Sequence, residues 1–94
     1  MGSVVAVEIE SRTGKQVRGA VLDLIMHTYP KKLLILVPMY IGPNQVAECQ
    51  FILKRFVQSS DFRVVLLEGT GYNPSLENDI AKVKEALYEL GCAV

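Results

Sequence analysis

No charge of either sign dominates this chain: ten Lys and Arg balance ten Asp and Glu. That balance excludes a global electrostatic pull toward nucleic acid or an acidic membrane, so any such binding has to come from a local patch. Long apolar runs are missing as well; none approaches the ~18 residues of a membrane span. The first residues, Met1-Gly2-Ser3-Val4, carry neither a basic segment nor a cleavable apolar stretch of the secretory type. The two cysteines, Cys49 and Cys92, stand far apart with no CxxC spacing. A zinc site and a disulfide framework are thereby excluded, and both thiols read as small apolar side chains near a core. These absences predict a cytoplasmic, reduced protein with no membrane association. Repeats, low-complexity tracts and linkers are absent too, so residues 1–94 are expected to form a single domain. What is present is apolar: half of the residues are hydrophobic and 21% are charged, a composition that excludes disorder. A domain this small buries only ~60–65% of its unfolded surface, so the core is modest.

Hydrophobic periodicity switches repeatedly between two and 3.6 residues. Val4 to Glu10 reads as a strand, with Val5, Val7 and Ile9 on one face and Val4, Ala6, Glu8 and Glu10 on the other. Ser11 to Gly14 breaks it, and Ser11 or Thr13 is a candidate cap for the next helix. That helix carries Val17, Ala20, Val21, Leu24 and Ile25 on one stripe and ends before Pro30. Leu33 to Val37 is a continuous aliphatic run, as expected of a strand buried on both faces of a parallel sheet. After the Pro38–Asn44 loop, with Asn44 as candidate cap, Val46, Cys49, Leu53 and Phe56 give a second amphipathic helix. Val64 to Leu67 is a third strand. Asn73-Pro74 then reads as a helix start. Leu76, Ile80, Val83, Leu87 and Leu90 form the stripe of a third helix that Gly91 terminates.

This alternation predicts an α/β domain of βαβαβα order, in two or three layers, with a mostly parallel sheet and right-handed crossovers. The loops after the three strands, Ser11–Lys15, Pro38–Gln45 and Glu68–Ser75, then lie at one end of the sheet, where open α/β sheets bind ligands. Three strands leave two open edges. A homo-oligomer, or a longer parent with further strands, is the expectation that follows.

Two acids on one face of the first strand stand out. Glu8 and Glu10 have Cβ atoms ~7 Å apart, a separation at which two carboxylates can share a divalent cation, with Mg²⁺ the natural guest. Arg12, Lys15, Gln16 and Arg18 follow at the start of a helix, where cations and backbone N–H groups can hold phosphate. Ion pairing of the two acids with Arg12, Lys15 or Arg18 is the purely structural alternative.

Val7-Glu8-Ile9-Glu10, then Lys15-Gln16-Val17-Arg18-Gly19, a helix and a buried strand resemble the core of the PD-(D/E)XK, or restriction-endonuclease-like, nucleases. The similarity covers roughly residues 4–40. In that superfamily a strand carries E-x-K or its E-x-E variant, and the following helix packs on the sheet. The resemblance implies Glu8 and Glu10 as metal ligands, with Glu10 in the place usually held by lysine. It further implies Lys15 supplying the displaced positive charge, Gln16 matching the helix glutamine of some members, and Mg²⁺-dependent hydrolysis of a DNA phosphodiester. Glu8, Glu10 and Lys15 are then the catalytic candidates, and Arg12, Gln16 and Arg18 the phosphate contacts. The family's first acid stands on a hairpin before this strand, and only three residues precede Val4. The resemblance therefore implies an upstream nuclease-like segment, an acid supplied by another subunit, or an inactive relative.

Other features carry less chemistry. Glu68-Gly69-Thr70-Gly71-Tyr72-Asn73-Pro74 places two glycines before a helix but matches neither GxGxxG nor the Walker lysine. It reads as an anion-binding turn or a plain strand-to-helix turn. Met39, Tyr40 and Ile41 read either as a contact patch or as residues folded over the sheet end. His27 is expected near a helix C-terminus, where a cationic imidazole suits the dipole. Lys31-Lys32 and Lys54-Arg55 are expected on the solvated surface. A non-catalytic α/β module that self-associates or binds a partner, or a nucleotide pocket lined by Ser11, Asn44 and Thr70, is the alternative to the nuclease.

Overall fold

The computed structural model of the protein describes residues 4–12, 14–39, 41–69 and 74–92. Its elements are β1 (Val5–Glu10), α1 (Lys15–Met26), β2 (Lys31–Leu36), α2 (Pro43–Phe56), β3 (Phe62–Leu66) and α3 (Leu76–Glu89), with a 3₁₀ turn at Ser59–Asp61 before β3. The sheet is all-parallel in the order β1-β2-β3. The domain is thus α/β of βαβαβα order, as the alternation of periods predicts.

The aliphatic run of β2 is buried on both faces because helices cover both. Leu34 and Leu36 face one way and pack with Ala6 of β1, Val17, Ala20, Val21 and Leu24 of α1, and Cys49 and Leu53 of α2. Leu33 and Ile35 face the other way and pack with Val65, Ala86, Leu90 and Cys92. The result is three layers, with α1 and α2 on one side and α3 on the other. Leu33, Leu34 and Leu36 are at most 1% exposed, and each contributes ~1.5–3 kcal/mol by burial. Cys49 and Cys92 are buried free thiols, and burial pushes Cys49 up to about 11, aided by the Glu48 charge.

Several boundaries depart from sequence expectation. β2 starts at Lys31, and Lys32 is only 5% exposed rather than solvated. The Lys32 ammonium donates to the backbone carbonyls of His27, at 2.9 Å, and Tyr29. These carbonyls follow the last turn of α1, so Lys32 supplies the positive charge there that His27 was expected to give. Desolvation lowers the pKa of Lys32. The His27 ring instead accepts the Tyr29 N–H at Nδ1, at 3.3 Å. Lys31 is half-buried and pairs with Asp61 at 2.9 Å. No side chain caps α1: its N-cap is Gly14, at φ +67°, a conformation glycine adopts without strain. Ser11 is thus not the cap, and Thr13 lies outside the described residues. Gly42, not Asn44, is the N-cap of α2; Pro43 takes the first helical position, and the Gln45 side chain accepts the Gly42 N–H at 2.9 Å. Phe56 of the expected α2 stripe is 67% exposed.

α3 begins at Leu76, after Ser75, rather than at Pro74; Asn73 lies outside the described residues. The turn into α3 is held by Asp79, whose carboxylate accepts the N–H groups of Glu68 at 2.7 Å and Gly69 at 3.0 Å. Only the later part of the α3 stripe is used. Val83, Leu87 and Leu90 pack on the sheet, whereas Leu76 and Ile80 are 70% and 45% exposed. Gly91, at φ +85°, ends the helix as expected.

Gly69 is required by space. A Cβ there would sit 2.5 Å from the Ser75 nitrogen, 2.9 Å from Asp79 Oδ2 and 3.2 Å from the Pro74 carbonyl carbon. Two of those three contacts are rigid backbone. Gly69→Ala is therefore expected to destabilise the protein by ~1–3 kcal/mol through overpacking. Denaturant unfolding monitored by circular dichroism measures this, and an unchanged midpoint would show that the β3–α3 turn yields without cost.

Candidate functional site

The end of the sheet that carries the three strand-to-helix loops is where β1 delivers its acids. Ala6, on the same face of the pleat as Glu8 and Glu10, packs under α1. Both carboxylates therefore leave β1 on its α1 side, as period two requires. Their surroundings differ. Glu8 is half-buried and, among the described residues, has no hydrogen-bond or ion-pair partner. Glu10 is 8% exposed and fully engaged. Its Oε2 accepts the N–H groups of Ser11 and Arg12, both at 2.9 Å, and Arg12 Nε at 3.0 Å; its Oε1 accepts Arg12 Nη2 at 3.1 Å.

A carboxylate two residues before an arginine can reach both the guanidinium fork and the backbone N–H groups of the turn between them. That is a bidentate, charge-assisted clamp, and it fixes the path of the chain as it leaves β1. The Arg12 side chain, the Arg12 N–H and the Ser11 N–H together hold the Glu10 carboxyl below its ordinary value, against a smaller opposing effect of burial. Arg12 is correspondingly raised by Glu10.

The remaining candidates are spread around this clamp. Lys15 and Gln16 open α1 and are exposed. Arg18 is exposed and reaches Glu48 on α2 at 3.7 Å, which turns it toward the neighbouring helix. The structure thus brings together Glu10 and Arg12, sets Glu8 one pleat away, and places Lys15 and Gln16 beyond the turn. Among the described residues, no three His, Cys, Asp or Glu side chains converge on a metal-holding group. Glu8 and Glu10 are the two carboxylates that could hold a cation here, and a cation reaching Glu10 would have to displace Arg12.

Elsewhere at this end, Ile41 is 5% exposed and belongs to the core, whereas Met39 is 43% exposed. Ile41 therefore folds over the sheet end and does not serve as a contact residue; Tyr40 lies outside the described residues. So does Thr70 of the three-loop pocket. Among the described residues, cavities lie away from these loops. One of ≈ 240 Å³ lies between α2 and β3, against Gln50, Lys54 and Arg63. Another, of ≈ 320 Å³, lies at the opposite end of the sheet, against His27, Tyr29, Lys32 and Asp61.

Sequence reasoning missed one exposed apolar surface, the far side of β1. Val5, Val7 and Ile9 point away from α1, toward the α3 layer, but α3 covers β2 and β3. Val7 and Ile9 are left 45% and 66% exposed. The alternation of β1 was legible; what hid this surface is that the sequence does not say which strand α3 covers.

No helix of the described residues is long and apolar enough to cross a membrane. No protein-family model, curated protein or solved structure matches the chain.

The Glu10 clamp has a pH signature. A carboxyl whose folded pKa is depressed stabilises the fold above its unfolded pKa, and that stability is lost as pH falls toward the folded value. The window here opens near the ordinary value of 4.5 and extends below it. Wild type is expected to lose unfolding free energy more steeply below pH ~4.5 than Arg12→Ala does. Urea unfolding at stepped pH measures both slopes, and parallel slopes would mean that Arg12 does not hold Glu10.

Proposed function

We propose that this chain is a restriction-endonuclease-like nuclease core whose active unit is completed at the free edge of β1. The observation that carries this is the placement of the E-x-E strand. β1 delivers Glu8 and Glu10 together on the α1 side, runs into α1, and is followed by the parallel, buried β2. Its other edge has no partner among the described residues. A hairpin preceding such a strand would pair at that edge, so the position expected for the family's first acid is open.

In this reading Glu8 and Glu10 would hold Mg²⁺, which when bound would supply Lewis-acid polarisation of a phosphodiester and a more acidic water. The protein's own groups do the rest. Glu8 offers a carboxylate that no described residue engages. Arg12 keeps Glu10 ionised and is itself the cation displaced when a metal arrives. Lys15, exposed at the start of α1, is positioned by the helix to meet negative charge on a bound phosphate. Arg12 and, once released from Glu48, Arg18 extend that cationic fringe, with Gln16 as a neutral hydrogen-bonding neighbour, the local patch that a chain without net charge needs for DNA binding.

A second reading, a non-catalytic assembly module, is favoured by the same clamp: with Arg12 in place, Glu10 is a turn-forming residue. Metal competition separates the two. Mn²⁺ titration followed by water-proton relaxation is expected to show millimolar binding to wild type and its loss in Glu8→Ala. Arg12→Ala should tighten binding about two- to five-fold, the worth of an ion pair whose arginine is largely exposed. No binding to any of the three proteins, with no cleavage of plasmid DNA, would leave the assembly module standing and end the nuclease reading.

A further inference from the structure

β1 is an edge strand with three properties that edge strands usually avoid. Over Val4 to Glu10 it has no proline, lysine or glycine, the devices that blunt an edge. Its α3-side face is apolar and, beyond Val5, which packs against the α3-side core, is largely open, with Val7 45% and Ile9 66% exposed. Its free backbone groups belong to those same residues. The Glu10 carbonyl accepts Val37 N–H at 2.9 Å, at the end of β2. By the alternation of a pleated strand, Ala6, Glu8 and Glu10 therefore turn their N–H and C=O groups to β2. Val5, Val7 and Ile9 turn theirs outward. The other open edge, β3, is defended differently: Arg63 sits on it, bonded to the Ser59 and Phe62 carbonyls and paired with Glu89 at 3.5 Å.

We infer that the β1 edge pairs with the β1 edge of a second copy of this chain, antiparallel about a two-fold axis through Val7, to form a continuous six-stranded sheet. This inference rests on the open edge and not on metal chemistry, and it is the alternative to a preceding hairpin at that edge, since only one strand can pair there. Symmetry and charge select the arrangement. A two-fold axis along the strands would give parallel pairing but turn one sheet over, setting the valine face of one copy beside the acidic face of the other. An axis perpendicular to the sheet keeps like faces together and makes the strands antiparallel.

Register follows from the side chains. Centring on Val7 places Val7 opposite Val7 of the second copy and Val5 opposite Ile9, so all three outward residues form hydrogen-bonded pairs. On the α1 side it places Glu8 opposite Ala6 and Glu10 opposite Val4. Centring on Glu8 opposes the two Glu8 carboxylates, and centring on Ile9 opposes Glu8 to Glu10. Both cost like-charge repulsion. Centring on Ala6 removes Ile9 from the apolar pairs. Only the Val7 register joins three apolar pairs without opposing two acids. The chain's zero net charge adds no long-range repulsion between copies.

Size sets the affinity. Six residues give an edge ~20 Å long. Even with flanking side chains, that buries less than the ~800 Å² per partner of a standard interface, so the dissociation constant is expected on the order of micromolar or weaker.

Sedimentation equilibrium over a wide concentration range tests the inference. Wild type is expected to show a monomer–dimer equilibrium. Val7→Lys and Val7→Glu each put like charges face to face across the axis and are expected to be monomeric. Because Val7 is 45% exposed, both variants should keep the wild-type circular dichroism. An equimolar mixture of the two should restore dimer, since Lys then opposes Glu. If wild type stays monomeric throughout, or if Val7→Lys still dimerises, the inference is wrong. It is equally wrong if the mixture fails to restore the dimer. The readout contains no metal and no DNA, so failure here leaves the Mn²⁺ titration free to decide the nuclease reading on its own.

Discussion

Among the described residues only β2 has both edges paired and both faces covered, and the rest of the structure depends on that sandwich. Leu33 to Leu36 fill two cores at once, one shared with α1 and α2 and one with α3. Strand order and helix placement then leave β1 and β3 as unequal margins. β3 has α2 packed along one side and α3 along the other. β1 has α1 on one side and little on the other. A chain of this length has no further element among its described residues to close that gap, so the incompleteness of β1 follows directly from the way the core is shared.

The acidic end of β1 reflects the same economy. The strand must leave the sheet and enter α1 through a short turn with a glycine at its N-cap. Glu10 organises that turn by gathering two N–H groups and the Arg12 guanidinium on one carboxylate. Glu8, one pleat earlier, takes no part in the clamp. Two acids that look alike in sequence therefore differ in structure: Glu10 orders the backbone, and Glu8 stands outside the clamp. Whether the pair serves a cation depends on how readily Arg12 is displaced, a competition between an exposed ion pair and the hydration of Mg²⁺.

Much of the fold was legible in the residues. The Leu33–Leu36 run identified a doubly buried strand, the Val17–Leu24 spacing identified the buried face of α1, and the shared face of Glu8 and Glu10 followed from period two. What was not legible depended on neighbours distant in sequence. Lys32 looks like surface charge until the chain brings it against the carbonyls after α1. Phe56 continues a helical stripe on paper but lies beyond the last residue that α2 packs on the sheet. Leu76 and Ile80 share a stripe with Val83 and Leu87, yet that part of α3 extends past its packing partners. Cap positions were missed at α1 and α2 because glycines, Gly14 and Gly42, stand at those N-caps, and at α2 the Gln45 side chain rather than an Asn oxygen engages the cap.

The central claim is that β1 is satisfied on one side only. Amide hydrogen exchange of the dilute protein, followed residue by residue by NMR, tests it most directly. Ala6, Glu8 and Glu10, bonded to β2, should exchange slowly, while Val5, Val7 and Ile9 should exchange near the rate of an unprotected chain. Uniform protection along β1 in the dilute monomer would contradict the account, because it would mean that another segment already occupies the edge.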